Sequence, residues 1–254
     1  MYISSILAGY QMRLNRVINR TTGKTLIVPF DHGTSAGVLN GLDDVENIVN
    51  MSVKGGADAI MLRPALMKNV VQADYGNLGI ILCLTGRLDR GVDHVEYNTV
   101  DYAIQCGADC ICAEFKLGSD GDLENSSLAS LIAEKAHEKG MPVMMTIYAQ
   151  KKFIQKFGDS AYGYACRVGE ELGADIVKTS VPCDNKEIIK SCVDSVSIPL
   201  VLAGGSNVKN EVLYSNIENA ISMGFAGAAV GRNVWGCKNG ENVVSELKRI
   251  IHSK

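Results

Sequence analysis

A short corner recurs four times along the chain and constrains its fold more than any other feature. Each copy ends an amphipathic stretch, turns through small residues, most often Gly-Ala-Asp, and leads into an apolar run rich in β-forming residues. The copies are GGADAIML (55–62), CGADCICAEF (106–115), LGADIVKTS (172–180) and MGFAGAAVGR (223–232). The spacings between their glycines Gly56, Gly107, Gly173 and Gly224 are 51, 66 and 51 residues. This repeat indicates helix–turn–strand units.

Four further apolar runs alternate with the corners, so the sequence predicts eight short strands. Their ranges are about 25–31, 59–64, 79–85, 110–116, 142–148, 175–180, 199–204 and 227–231. Helical patterns fill most gaps, as at 42–56 and 126–140. Strands that alternate with helices form parallel sheets with right-handed crossovers, and eight such units match a closed (β/α)8 barrel.

An open doubly wound sheet is the structural alternative. That fold commonly carries a G-x-G-x-x-G turn after its first strand, whereas this chain continues into PFDHGTSAG. No Pro- or Ser-rich linker interrupts the pattern. We therefore expect an α/β protein with one TIM-barrel domain over residues 1–254.

Composition and charge exclude several classes of partner. The chain is 46% hydrophobic and 21% charged with a net charge of −3, which favours neither nucleic acid nor an anionic membrane surface. We find no apolar run near the roughly 20 residues of a membrane helix, and no basic region of a signal peptide. The eight dispersed cysteines lack paired C-x2-C spacing and favour buried or free thiols. We expect a cytoplasmic protein that acts on small molecules.

Lys178 is the chemically unusual residue of the third corner. Strand alternation puts Ile176, Lys178 and Ser180 on one face, which predicts that the lysine points into the barrel mouth. Burial there is expected to lower its pKa, and a neutral amine can attack a carbonyl to form a Schiff base. An exposed lysine beyond the strand end, or a charged clamp for a ligand, remain alternatives.

Two further strand ends carry groups that can move protons. Tyr148 ends the fifth strand beside Lys178, and Asp31 ends the first. A phenol and a carboxylate at these positions are candidates for general acid–base work. The alternatives are an aromatic at the rim with a solvated hydroxyl and a turn aspartate that binds backbone amides.

The last two strands end in small residues, AGGSN (203–207) and VGRN (230–233). These are the strands at which barrels commonly bind phosphate through backbone N–H groups. Arg232 could add charge-assisted hydrogen bonds. The pattern predicts a phosphate site, although a glycine pair alone would indicate only a turn.

A metal-dependent mechanism would require several histidines or carboxylates converging on one ion. The four histidines are His32, His94, His137 and His252. Only His32 lies at a strand end, and His137 and His252 fall in helical patterns. We therefore expect neither a metal nor another cofactor.

Together these motifs resemble the archaeal-type class I aldolases. The matching segments, in order, are TLIVPFDHGTSAG, YAQ after the fifth strand, GADIVKTS, AGG and VGRNVW. That family includes fructose-bisphosphate aldolases, 2-amino-3,7-dideoxy-D-threo-hept-6-ulosonate synthases and a related thiolase. MRLNRV and VPFDHGTSAG are more similar to the synthase branch.

The resemblance implies a Schiff-base lysine at Lys178, a proton-donating tyrosine at Tyr148 and a proton-accepting aspartate at Asp31. It implies homo-oligomers as well. Substrate and phosphate contacts are implied for His32, Gly33, Thr34, Ser35, Gly204, Gly205, Gly231 and Arg232.

Three departures from the family pattern bear on the substrate. Pro-Arg-Gly commonly follows the tyrosine, but Ala149-Gln150-Lys151 stands here, and Lys151 is a candidate for the missing positive charge. Bisphosphate aldolases tend to carry a tryptophan two residues before the tyrosine, and this chain has Thr146 at that position. Glu114 and Lys116 match neither branch, and we hypothesise that they tune specificity for the acceptor aldehyde.

The activity expected from the resemblance is that of a metal-independent aldolase or transaldolase acting on a phosphorylated ketose. It would transfer an enamine-bound fragment to an aldehyde such as aspartate semialdehyde. Cleavage of a ketose bisphosphate, acyl transfer to a thiol, and a catalytically silent sugar-phosphate sensor are the alternatives.

Overall fold

The computed structural model describes residues 4–88 and 95–253, and its centre is a closed barrel of eight parallel strands. Each strand pairs with its neighbours in chain order, and the first closes on the last. The strands are β1 Thr25–Pro29, β2 Ala59–Leu62, β3 Gly79–Cys83, β4 Cys110–Leu117, β5 Val143–Ala149, β6 Ile176–Thr179, β7 Leu200–Ala203 and β8 Gly227–Ala229. All eight begin and end within two residues of the predicted ranges, so the predicted TIM barrel is confirmed.

Helices connect the strands and cover the outside of the barrel. They are α1 Ser5–Val17, α2 Gly33–Ala36, α3 Val45–Gly55, α4 Met67–Val70, α5 Val100–Gln105, α6 Asp122–Glu138, α7 Lys151–Phe157, α8 Ser160–Glu171, α9 Lys186–Asp194, α10 Asn210–Ser222, α11 Arg232–Trp235 and α12 Gly240–His252. A 3-10 turn, Pro64–Leu66, precedes α4. Within the described ranges, none of the helices is both long and apolar enough to cross a membrane.

The recurring corners have a common backbone conformation. All four corner glycines have positive φ, from 80° at Gly56 to 113° at Gly224. A side chain is strained in this region, so glycine lets the chain leave each helix and enter the next strand through a connection of only three or four residues.

The corner aspartates tie the starts of neighbouring strands together. Each side chain accepts a hydrogen bond from a backbone N–H on the preceding barrel strand, and its own N–H donates to the carbonyl of that same residue. The side-chain pairs are Leu26–Asp58 at 2.7 Å, Ile80–Asp109 at 3.0 Å and Val143–Asp175 at 2.7 Å. The fourth corner has Ala226, which keeps only the backbone bond, to Leu200.

The N-terminal end of the barrel is covered by α1. Val17 at the end of this helix is fully buried in the same cluster as the inward strand residues. Thr25 Oγ1 donates to the Val17 carbonyl at 2.6 Å, and Arg16 pairs with Asp109 at 2.9 Å. Because α1 occupies this end, the barrel mouth lies at the carboxyl ends of the strands.

Side chains that point into the barrel form layers across register partners. Cys83 and Cys112 are paired on β3 and β4, in the layer below the mouth. The row above it runs from Glu114 through Thr146 to Lys178. Two residues further along, Lys116 pairs with Tyr148. Successive inward side chains on one strand lie roughly 7 Å apart, so these rows are stacked toward the mouth.

Candidate active site

A cavity of about 260 Å³ opens at the carboxyl ends of the strands. Every strand end except those of β2 and β3 contributes to its wall, and Arg87 from the segment after β3 completes it. The lining residues are Pro29, Asp31, His32, Ser35, Arg87, Glu114, Tyr148, Lys178, Ser180, Ala203, Gly204, Gly205, Ala229, Gly231 and Arg232. The three predicted catalytic residues therefore share one cavity.

Lys178 lies on β6 with its side chain inside the barrel mouth, as strand parity predicts. Only 7% of the residue is exposed. Its Nζ atom lies 3.7 Å from the thioether sulfur of Met61, in the layer beneath it. The side chain is thus held by apolar and sulfur-containing neighbours, and its amine faces the cavity.

The expectation that burial would lower the pKa of Lys178 is wrong for the free site. Burial favours the neutral amine, but this effect is outweighed by the phenolate that Tyr148 forms at high pH and by the carboxylate of Asp31, which is charged at neutral pH, so the pKa of Lys178 is raised above its ordinary value. The resting lysine is an ammonium group. It must pass a proton to a neighbour before it can attack a carbonyl.

Asp31 follows β1 and supplies a carboxylate to the cavity. Burial alone would raise its pKa, but the positive charges of Lys178 and Arg63 lower it below the ordinary value, and His32 adds to this only when it is protonated. The Cys83 thiol donates to Asp31 Oδ2 at 3.4 Å. Asp31 is therefore ionised at neutral pH and can accept a proton.

Tyr148 lies on β5 as the register partner of Lys116, one layer above the row of Lys178. Burial, together with the negative charges of Glu114 and Asp31, raises the pKa of Tyr148 to about 12, although Lys178 opposes this shift. The phenol is therefore protonated at neutral pH and is suited to donate a proton.

The segment after Asp31 divides between two cavities. His32 and Ser35 line the catalytic cavity, whereas Gly33 and Thr34 line a neighbouring, mainly apolar cavity. His32 packs edge-on against Trp235 with ring centroids 5.5 Å apart. Burial lowers the pKa of His32 despite the opposing carboxylate of Asp31, and Lys178 lowers it further, so the ring is neutral.

The glycine-rich ends of β7 and β8 form the wall opposite Tyr148. A Cβ atom at Gly231 would lie 2.4 Å from the Pro29 carbonyl oxygen, so only glycine fits. The Gly204 amide donates to Ala229 at 2.9 Å and is not available to a ligand. Arg232 donates to the Gly205 carbonyl, which holds the guanidinium at the cavity wall.

The structure brings two further charged residues to the site, Glu114, for which the sequence suggested only a role in acceptor specificity, and Arg63, which it did not assign. Glu114 lines the cavity and pairs with Arg87 at 3.8 Å. Arg63 follows β2, donates to Thr34 Oγ1 at 3.3 Å and lowers the pKa of Asp31. Counting alternate residues along β2 and β4, as was done for β6, would have placed Arg63 and Glu114 on the inward face.

A second cavity of about 460 Å³ adjoins the first on the side of β4. Arg87, Tyr148 and Ser180 line both cavities, and Lys116 lines only the second. Lys151, the candidate for the missing positive charge, is exposed at the start of α7 instead.

The three histidines in the described ranges lie on separate elements. His137 and His252 lie on α6 and α12, far along the chain from His32, and His94 lies outside the described residues. Across residues 4–88 and 95–253 no three His, Cys, Asp or Glu side chains are grouped to hold a metal ion.

A barrel with a buried lysine, a tyrosine and an aspartate at its mouth defines a class of proteins, the TIM-barrel aldolases. Residues 25–236 match the sequence model of the family described as "DeoC/LacD family aldolase". The chain belongs to this family, and the expected enzyme class is confirmed.

Two relatives are similar over nearly their whole length. The 2-amino-3,7-dideoxy-D-threo-hept-6-ulosonate synthase of Halobacterium salinarum is 29% identical over 96% of this chain and 92% of that protein. The corresponding synthase 1 of Archaeoglobus fulgidus is 28% identical over 97% of this chain and 92% of that protein.

Solved structures show the same fold. An archaeal fructose 1,6-bisphosphate aldolase superposes with a TM-score of 0.86 at 23% identity, covering 96% of this chain and 99% of that one. Another structure of an archaeal fructose-1,6-bisphosphate aldolase, with the catalytic lysine covalently bound to the carbinolamine intermediate of the substrate, superposes with a TM-score of 0.84 at 21% identity, covering 96% of this chain and 100% of that one.

Proposed function

We propose that this protein is a class I, metal-independent aldolase or transaldolase that forms a Schiff base with a phosphorylated ketose at Lys178. One observation carries the proposal. A lysine that is 7% exposed shares a cavity with an ionised carboxylate, Asp31, and a protonated phenol, Tyr148. A site that only binds sugar phosphate has no need of this combination.

The first step is the loss of a proton from Lys178. Asp31 is the acceptor, because it is the ionised carboxylate whose charge holds the ammonium form. The neutral amine attacks the ketone carbon, and loss of water leaves an iminium ion. Asp31 returns its proton to the departing water and becomes a base again. In cleavage, the proton of the β-hydroxyl group passes through Tyr148 to Asp31, the C–O bond becomes the carbonyl of the released aldehyde, and the electron pair of the bond between the α and β carbons moves toward the iminium nitrogen to give an enamine. In transfer, Asp31 reprotonates Tyr148.

Transfer reverses these steps with a second aldehyde. The enamine carbon attacks the aldehyde carbonyl, whose oxygen takes a proton from Tyr148. Water then hydrolyses the iminium and frees Lys178. The cavity wall formed by Gly205, Gly231 and Arg232 is where we place the donor's phosphate, because it offers a guanidinium and no obstructing side chains.

Borohydride trapping with a panel of phosphorylated ketoses tests the proposal. Reduction during turnover, followed by peptide mass spectrometry, should place a stable adduct on Lys178. Lys178→Met should abolish the adduct, and Lys151→Met, at an exposed lysine, should retain it. An adduct elsewhere, or turnover without one, contradicts the mechanism, and binding without any adduct identifies a sensor.

The same panel separates the two principal reactions. Formation of triose phosphates from fructose 1,6-bisphosphate alone identifies ordinary cleavage. Product formation that requires an added acceptor, such as aspartate semialdehyde, identifies a transaldolase. The identity to the Halobacterium salinarum synthase supports the second reaction.

We also propose a cytoplasmic, homo-oligomeric enzyme. The eight free thiols fit a reducing compartment. The oligomeric state follows from the family resemblance, and light scattering on the purified protein measures it.

A further inference from the structure

We infer that Lys116 is a specificity-determining residue that binds an anionic group on the acceptor aldehyde. This inference rests on the proposed function. It concerns the second cavity, beside β4, rather than the catalytic cavity in which the Schiff base forms.

Lys116 is a charged residue in a buried position, which is unusual for lysine. The residue is 7% exposed and follows Cys110, Cys112 and Glu114 on the inward face of β4. Within the part of the chain that the structure describes, no carboxylate lies within ion-pair distance of its amine. Burying an ammonium group without a partner is costly, so the position indicates a charge that a ligand completes.

The second cavity gives that charge a place to act. Lys116 lines it together with the polar groups of Gln150, Tyr162 and Ser180. Arg87 also lines it, but Arg87 already pairs with Glu114 at 3.8 Å. The positive charge of Lys116 can therefore bind an anionic group of a ligand in this cavity.

Register connects this cavity to the reacting atoms. Lys116 is the register partner of Tyr148 on the neighbouring strand, and neighbouring strands lie about 4.8 Å apart. Tyr148 lines both cavities, so its side chain lies at the boundary between the cavity of Lys178 and the cavity of Lys116. An aldehyde whose oxygen is protonated by Tyr148 would extend its far end toward Lys116.

The arrangement favours a donor and an acceptor that each carry a negative charge away from the carbon atoms that react. Arg232, on the β8 side, faces the donor half, and Lys116, on the β4 side, faces the acceptor half. The acceptor is thus an aldehyde that carries a phosphate or a carboxylate, rather than a neutral hydroxyaldehyde.

The test uses the donor that labels Lys178 in the trapping panel and three acceptors. These are glyceraldehyde 3-phosphate, aspartate semialdehyde and uncharged glyceraldehyde. Lys116→Met should raise KM for the anionic acceptors by roughly 10- to 100-fold, because a hydrogen bond to a charged group is lost. KM for glyceraldehyde and the yield of donor adduct should change little, and Lys116→Arg should recover part of the loss. If KM changes more for glyceraldehyde 3-phosphate, the group that Lys116 binds is a phosphate; if it changes more for aspartate semialdehyde, the group is a carboxylate.

Lys151→Met is the matched control, since it removes an exposed lysine charge at the end of the neighbouring strand. It should behave like the wild type with all three acceptors. Thermal unfolding of each variant reports folding, and Lys116→Gln replaces Lys116→Met if the latter is unstable.

An equal rise in KM for charged and uncharged acceptors in Lys116→Met, or no rise for either, contradicts the anion subsite and leaves the Schiff-base function intact. Failure of every donor to label wild-type Lys178 overturns the proposed function itself, and the acceptor role of Lys116 with it.

Discussion

Asp31 and Lys178 hold each other in their charged forms. The ammonium group lowers the pKa of Asp31 against the effect of burial, and the carboxylate helps to raise the pKa of Lys178. In the proposed mechanism the lysine is therefore activated by transferring a proton to a neighbour, and not by desolvation alone.

Asp31→Asn separates these two effects. Removing the negative charge lowers the pKa of Lys178, so the amine becomes neutral at lower pH. The pH profile of borohydride-trapped adduct should shift to lower pH, while turnover should fall by roughly 10²- to 10⁴-fold because a proton acceptor is lost. Asp120→Asn, at an exposed carboxylate, serves as the control. An unshifted trapping profile would contradict the coupling.

Tyr148→Phe tests the role of the phenol in C–C bond cleavage and transfer. We expect adduct formation at Lys178 to persist and turnover to fall by about 10²- to 10⁴-fold, since only the proton donor is missing. Single-turnover trapping and steady-state rates measure the two quantities. Tyr164→Phe removes the hydroxyl of a tyrosine that lines neither cavity, and should retain full activity. Loss of the adduct in Tyr148→Phe would assign the phenol to an earlier step.

Gly231→Ala should both weaken phosphate binding and destabilise the fold. The new Cβ would meet the Pro29 carbonyl at 2.4 Å and Trp235 Nε1 at 2.9 Å, atoms that share a 3.0 Å hydrogen bond. We expect a loss of about 1–3 kcal/mol in unfolding free energy and a higher KM for the phosphorylated ketose. Denaturant unfolding and steady-state kinetics measure these effects.

Gly33→Ala is the matched comparison. A Cβ there meets no atom within 4 Å, so stability should stay within about 0.5 kcal/mol of wild type. Equal destabilisation by the two substitutions would show that the close packing around Gly231 is not the cause.

His137 makes the stability of the barrel depend on pH. Its hydrogen bond to Asp175 at 3.0 Å raises the pKa of His137, although burial opposes this. A raised folded-state pKa stabilises the protein below the unfolded value near 6.5, and this contribution disappears as pH rises through the folded-state pKa.

The stability difference between wild type and His137→Gln should therefore be larger at pH 5.5 than at pH 9. The side chain is 40% exposed, so the effect should be about 0.2–1 kcal/mol. Urea unfolding at both pH values measures it. A difference that is independent of pH, or larger at pH 9, would show that the ion pair does not stabilise the folded state.

Most of the architecture was predictable from local patterns. A parallel strand in a barrel is buried on both faces, so each of the eight strands reads as a short apolar run in the sequence. The corner glycines mark the helix ends because only glycine adopts their positive φ readily, as at Gly173 and Gly224. The role of the corner aspartates was not predictable, because Asp58 and Leu26 are neighbours only after β1 and β2 pair.

The site was predictable only in part. Strand parity indicated that Lys178 points inward, and the resemblance implied its partners Tyr148 and Asp31. The divergence of Gly33 and Thr34 toward another cavity depends on the loop conformation, which residue types do not specify. Arg87 reaches the site from a segment whose position is set by long-range packing, whereas strand parity along β2 could have indicated Arg63.

The sequence by itself determined the number of strands, their order and the inward parity of Lys178, since these follow from periodicity and turn chemistry along the chain. The protonation state of Lys178 and the cavity that Lys116 lines were evident only in the folded protein. The first depends on electric charges brought together from separate strands, and the second on how the strand ends and the following segments pack. The energy of a buried charge is set by its neighbours in space, and those neighbours exist only in the folded barrel.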